Sequence, residues 1–232
     1  MAVVCCSIFQ VCTVKLTDIN GDPGAGYSSV TPYMFIFMLL DFHKQLKDKG
    51  HSLSILFMCT KLSPEYKYPA QLLETAKAYD YLINTLHINP NKIIFAGDSS
   101  GAHILLQLLR HIHQPHSLIA TKVSILPKPK SLILMSPVMR TVNLRTGSFK
   151  TNLDTDYVNF NKLENDWFAT WKDGQDKEGL CEHINRPQGA LPWKHILPGD
   201  MLLLWGANEA LDSDVTDFLE QAVKVIEGFG TG

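Results

Sequence analysis

Asn91-Lys92-Ile93-Ile94-Phe95-Ala96-Gly97-Asp98-Ser99-Ser100-Gly101-Ala102-His103-Ile104-Leu105-Leu106-Gln107-Leu108-Leu109-Arg110 is the stretch whose reading decides the fold. Ile93 to Ala96 form a short apolar run behind the turn signal Asn89-Pro90-Asn91, as expected of a strand buried on both faces. From Ala102 the period changes. Ile104, Leu105, Leu108 and Leu109 recur at helical spacing and Arg110 closes a turn. Between the two patterns lies Gly97-Asp98-Ser99-Ser100-Gly101, a G-x-S-x-G sequence. The stretch therefore reads strand, sharp turn, helix.

The chemistry explains the glycines. A serine on a tight strand-to-helix turn sits in a strained backbone with its hydroxyl pushed into the open. Its flanking positions must be nearly free of side chain, because strand and helix pass close by. The helix begins at the serine, so its N–H groups and positive dipole end face any negative charge that develops there. That is the geometry of an acyl-transfer nucleophile. With 15 glycines in 232 residues, chance placement gives roughly 0.06 such matches, so the motif is informative but not decisive alone.

Working outward, 232 residues that are 45% hydrophobic and 19% charged suit one α/β domain, residues 1–232, with a sizeable core. A formal net charge of −2 gives no electrostatic case for nucleic acid as a partner. The cysteines, Cys5, Cys6, Cys12, Cys59 and Cys181, are odd in number and lack metal-ligand spacing. Thiols in a reducing compartment, and hence a slight preference for the cytoplasm, are the simplest reading. Residues 1–14 have no basic leader region and read as a strand rather than a signal peptide. The apolar run from Tyr33 to Leu40 is too short to span a bilayer.

Upstream of the central stretch, Ile8, Phe9, Val11, Val14 and Leu16 are strand-like. Asn20-Gly21-Asp22-Pro23-Gly24-Ala25-Gly26-Tyr27 is a glycine-rich loop before a helix over roughly 31–49, apolar at Met34, Phe35, Phe37, Met38 and Phe42 and stopped by Gly50. The loop could cradle a phosphate, donate N–H groups to an oxyanion beside the serine, or simply turn the chain. The phosphate reading is the weakest, because Ser29 stands where a third glycine belongs. A buried strand follows over 52–59, and a helix of about twenty residues starts at Pro69, with Leu72, Leu73, Ala76, Tyr79, Leu82, Ile83 and Leu86 on its apolar face.

Downstream, His111, His113 and His116 invite a metal reading, but their spacing is loose and no Cys or carboxylate is near, so 111–130 reads as a solvated loop and no metal or cofactor is expected. Residues 131–136 form another buried strand. Residues 141–195 are polar, weakly periodic and carry Trp167, Trp171 and Trp193. They read as a helical cap inserted over the sheet edge, against the alternative of an ordinary crossover. Residues 201–205 read as a central strand and roughly 213–227 as the last helix. Strands alternating with helices predict a mostly parallel sheet with helices on both faces.

In three segments the chain resembles the α/β-hydrolase fold-3 family, the hormone-sensitive-lipase-like carboxylesterases. Gly97-Asp98-Ser99-Ser100-Gly101 is similar to that family's G-D-S-A-G-G. Leu62-Ser63-Pro64-Glu65-Tyr66-Lys67-Tyr68-Pro69-Ala70 resembles its R-L-A-P-E-x-x-F-P-A segment. Gly206-Ala207-Asn208-Glu209-Ala210-Leu211-Asp212-Ser213-Asp214 resembles the loop bearing its acidic triad member. The tryptophan-bearing segment and a glutamate as acid look most like fungal members, some of which deacetylate sterols. The resemblance implies a serine hydrolase of uncharged carboxylic esters, with a small-molecule ester as its partner. Ser99 would be the nucleophile, Glu209 the acid, with Asp212 and Asp214 as competitors, and Gly24, Ala25 and Ser100 the oxyanion donors. Capping of the last helix is the simpler role for all three acids, and Asp212 or Ser213 is the expected cap.

Two departures qualify that expectation. Where the family has H-G-G-G, this chain has Pro23-Gly24-Ala25-Gly26. Triad order in the fold is Ser, acid, His, yet no histidine follows Glu209; the last is His195. The expectation is a chain truncated at both ends and lacking its base, with His183 or His195 able to substitute only by an unusual fold-back. The alternative is a non-catalytic small-molecule-binding module on the same fold. A parallel sheet without its last strand would also expose an apolar edge, so edge-strand self-association is expected.

Overall fold

The computed structural model describes residues 2–8, 33–58, 61–117, 119, 125–141, 146–156 and 193–223. Five strands form one sheet: β1 (Ala2–Ile8), β2 (Ser52–Phe57), β3 (Ile93–Asp98), β4 (Ser131–Met135) and β5 (Asp200–Leu204). Their order is β2-β1-β3-β4-β5, and every neighbouring pair is parallel. The alternation of strand and helix predicted this arrangement, since parallel neighbours need a crossover between them. One expectation is corrected. The strand before Glu209 was read as central, whereas β5 lies at one end of the described sheet.

Helix α1 (Tyr33–Asp48) ends where the sequence stops it. Gly50 takes φ +80°, the His51 N–H donates to Leu46 O and the Gly50 N–H to Lys47 O, which satisfies the last carbonyls of the helix. Leu46 packs with Leu53, Ile55, Ala96 and Ile133 on one face of the sheet. Of its apolar positions, Phe37, Met38 and Phe42 are exposed.

The larger core lies on the other face. It is built by α2 (Ala70–Asp80, continued by a wider turn over Tyr81–Thr85), α3 (Ser100–His113), α5 (Trp193–Ile196) and α6 (Asp212–Val223) against Ile93, Phe95, Leu132 and Leu134. A four-residue helix, α4 (Ser148–Thr151), precedes α5 in the chain. Every residue of α3 from Ser100 to His111 is buried. The helix that carries the sharp turn is thus the most enclosed element described, which is what fixes the turn in place. The segment after it differs from expectation: α3 runs on to His113, and His111 and His116 are buried rather than solvated, the His116 N–H donating to His111 Nδ1. Burial, and then the neighbouring His116, holds the His111 imidazole below its usual pKa. Trp193, expected on a cap, is core: it packs edge-on against Phe218 and beneath the Arg110 guanidinium. Trp167, Trp171 and the rest of 157–192 lie outside the described residues. Among the described residues no helix is long and apolar enough to cross a membrane.

Candidate active site

Ser99 stands between β3 and α3 with φ +51° and ψ −117°. A non-glycine residue pays about 1–3 kcal/mol for such a backbone. Three bonds hold it there. The Ser99 N–H donates to Met135 O on β4, and its carbonyl accepts from the N–H groups of His103 and Val138. Gly97 is obligatory nearby, since a Cβ there would come within 2.7 Å of Ala102 N and 2.8 Å of a Leu105 methyl. Ser100 is the first residue of α3 and is buried, so its N–H belongs to the positive end of the helix dipole.

Glu209 lies in the turn between β5 and α6. Its Oε1 accepts from the Ser136 hydroxyl at 2.8 Å and from the Gly206 N–H at 2.9 Å. Its Oε2 is buried and accepts no hydrogen bond from the described residues. A buried carboxylate oxygen without a donor costs free energy, so it marks a position where a donor is expected. The two competing acids are otherwise engaged. Asp212 Oδ1 accepts from the Trp205 indole N–H at 2.9 Å, and Asp214 Oδ2 lies 2.7 Å from Arg140 Nε in a buried ion pair. Burial pushes the Asp214 carboxyl up to about 6, with Arg140 working against that shift.

The strand register brings these groups to one end of the sheet. Asp98 pairs with Met135 and Met135 with Leu204, so Ser99, Ser136 and the Gly206–Glu209 turn all follow the carboxyl ends of adjacent strands. In open parallel sheets that edge is where ligands bind. Asp98 reports the proximity: its carboxyl is pushed from 3.8 up to about 6, first by burial and then by the charge of Glu209. The folded pKa lies above the unfolded one, so folded protein binds this proton more tightly, and stability falls as pH rises from about 4 through about 6. Asp98→Asn is therefore expected to be more stable than wild type near pH 8 by about 1–3 kcal/mol, and to lose that advantage near pH 4. Thermal melts at the two pH values check this; an advantage independent of pH would count against it.

The histidines are placed as follows. His103, one turn beyond Ser99, is fully buried with Nε2 3.0 Å from Gln107 Nε2. His195 stacks on His113 at the far end of α3, about 20 Å along the helix from Ser99, so it is in no position to serve that serine. His183 and the oxyanion candidates Gly24 and Ala25 lie outside the described residues. No described histidine donates to Glu209 Oε2. Among the described residues no group of three or more His, Cys, Asp or Glu side chains is gathered to hold a metal.

Sequence reading missed Ser136, which takes φ +40°, donates its N–H to Leu204 O and turns its hydroxyl onto Glu209. The only local signal was its place between a strand and Pro137. It also missed the segment 146–156, which packs against the Glu209 turn.

A parallel sheet with both faces covered by helices, a serine strained into positive φ at a strand-to-helix turn and a carboxylate after a later strand define an α/β protein with its site at the carboxyl edge. The chain belongs to the alpha/beta hydrolase fold family (Abhydrolase_3), whose model matches residues 53–212. No curated protein matches the chain. Among solved structures it is similar to a hormone-sensitive lipase from a metagenome library (23% identity, TM-score 0.67, covering 97% of this chain and 64% of that one). It is also similar to an esterase/lipase from an uncultured bacterium (19% identity, TM-score 0.68, 97% and 62%) and to the esterase LipW from Mycobacterium marinum (16% identity, TM-score 0.68, 97% and 60%). The chain thus spans less than two thirds of the length of these structures.

Proposed function

We propose that the protein is a serine hydrolase of carboxylic esters, with Ser99 as nucleophile and Glu209 as the acid that orients an imidazole. The observation that carries this is the pairing of a strained Ser99 with the buried, undonated Oε2 of Glu209 at the same edge of the sheet. In the reaction, Ser99 Oγ attacks the ester carbonyl carbon while its proton passes to the imidazole. The oxyanion is held by N–H groups at Gly24, Ala25 and Ser100. The C–O bond to the alcohol then breaks, the imidazolium returns the proton to the leaving alkoxide, and water cleaves the acyl-serine by the same route. Glu209 Oε2 would accept from the imidazole N–H and stabilise the imidazolium. No described histidine meets Glu209 Oε2 to supply that imidazole. The finer reading is of uncharged esters with short acyl groups, steryl acetates among them, which rests on the family resemblance alone.

Labelling with a fluorophosphonate probe, with and without imidazole in the buffer, tests the reading. One adduct on the Ser99 peptide is expected, and none in Ser99→Ala. Glu209→Gln should lower Ser99-dependent turnover about 100-fold or more, because its amide would present a donor where the imidazole needs an acceptor. Oε1 can still accept from Ser136 and Gly206, so thermal melts should show the variant folded. A second reading, a small-molecule receptor without catalysis, is favoured by the lack of any described histidine on Glu209. Saturable binding of an ester without labelling or turnover would select it.

A further inference from the structure

The turn that carries Glu209 is held from outside by a segment with no counterpart in the triad. Gly147 takes φ +57° and leads into α4 so closely that a Cβ on it would lie 2.5 Å from Ser213 Oγ. Ser148 then locks to the start of α6: its N–H donates to Ser213 Oγ, its hydroxyl to Ala210 O at 2.6 Å, and the Ser213 N–H donates back to Ser148 Oγ. Past α4, three side chains reach three successive residues of the turn. Thr155 Oγ1 donates to Asn208 O at 2.9 Å, Asn152 Nδ2 to Glu209 O at 2.9 Å, and Asp156 Oδ2 accepts from the Ala210 N–H at 2.8 Å.

We propose that Asn152 and Asp156 are positioning residues that grip the one peptide group following Glu209, Asn152 at its carbonyl and Asp156 at its N–H, and so aim the free Oε2 of that side chain. The inference rests on Glu209 being the triad acid. The side chain is already pinned at Oε1 by Ser136 and Gly206. With the peptide after it gripped at both carbonyl and N–H, and the peptide before it held at Asn208 O by Thr155, the carboxylate has little freedom to swing Oε2 away from an imidazole. A shift of a fraction of an ångström in such a group lowers the rate without touching substrate binding. Asn152 is suited to the task because an amide N–H donates to a carbonyl, and Asp156 because a carboxylate accepts from an N–H without competing as a donor.

The test uses Asn152→Ala, Asp156→Ala and Asp156→Asn in the full chain, assayed on p-nitrophenyl acetate with imidazole present. The two alanine variants are expected to lose about tenfold in kcat with KM within about twofold. Asp156→Asn, which keeps an oxygen acceptor for Ala210 N–H, is expected to recover most of the rate. In parallel, amide hydrogen exchange at Ala210 should quicken at least tenfold in Asp156→Ala and stay slow in Asp156→Asn. Unchanged exchange and unchanged kcat in both alanine variants would overturn the proposal, as would equal losses in Asp156→Ala and Asp156→Asn. Failure of the esterase reading has a different signature: no Ser99-dependent turnover in wild type. That result removes the catalytic purpose of these residues, while the exchange rates still report whether they hold the turn.

Discussion

Ser99→Ala is expected to abolish the Ser99-dependent part of p-nitrophenyl acetate hydrolysis, leaving only the rate that the same imidazole buffer gives without protein. Only the hydroxyl is removed, at the turn where the helix dipole, the strained backbone and the Glu209 edge converge. Alanine keeps the Cβ, and the backbone bonds of residue 99 to Met135, His103 and Val138 do not involve the hydroxyl. The variant should therefore fold as wild type does. Ser99→Gly separates strain from chemistry. It is equally without a nucleophile, but glycine accepts φ +51° at little cost, so it should melt higher than Ser99→Ala by the equivalent of about 1 kcal/mol. If wild type and Ser99→Ala hydrolyse the ester at the same rate, Ser99 is not the nucleophile and the receptor reading takes its place.

The fold was legible because its signals are local. The switch of period between Ala96 and Ala102 placed the strand, the turn and the helix, and Gly50 marked a helix end that the structure closes with the expected bonds. The nucleophile candidate was legible for the same reason, since a positive φ between strand and helix is prepared by its own neighbours. The support of the acid was not. The bond from Ser136 to Glu209 spans 73 residues, and those from Asn152 and Asp156 to the turn span 57 and 54. Serine, asparagine and aspartate in a polar stretch look alike whether they face solvent or another loop. The placement of β5 at one end of the described sheet was hidden too, because periodicity within a strand carries no information on which strands flank it. His111 and His116 were misread because a histidine-rich, proline-containing stretch looks solvated until the helix before it is known to be enclosed.

Arg140→Ala is expected to destabilise the protein by about 3–5 kcal/mol, the largest stability effect of any single charged side chain described. The guanidinium is 10% exposed and its partner Asp214 6%. Arg140 also donates to Thr146 Oγ1 and Thr146 O and lies over the Phe149 ring. Removing it takes the guanidinium away from a buried carboxylate and releases the start of the segment that holds the Glu209 turn. For a chain of this size the melt should drop by roughly 6–20 °C. The loss should depend on pH with a definite sign. Asp214 already titrates at about 6 because burial outweighs Arg140, and without Arg140 its pKa rises further. A folded pKa above the unfolded value means stability is lost as pH rises, so the variant's deficit should be largest near pH 8 and shrink toward pH 5 as the Asp214 carboxyl takes up a proton. Arg140→Met combined with Asp214→Leu fills similar volume without a charge and should cost much less than Arg140→Ala alone. Melts of the single and double variants at both pH values decide it. A single-variant deficit that stays constant with pH would mean that lost packing over Phe149, rather than the lost Arg140–Asp214 pair, sets the cost.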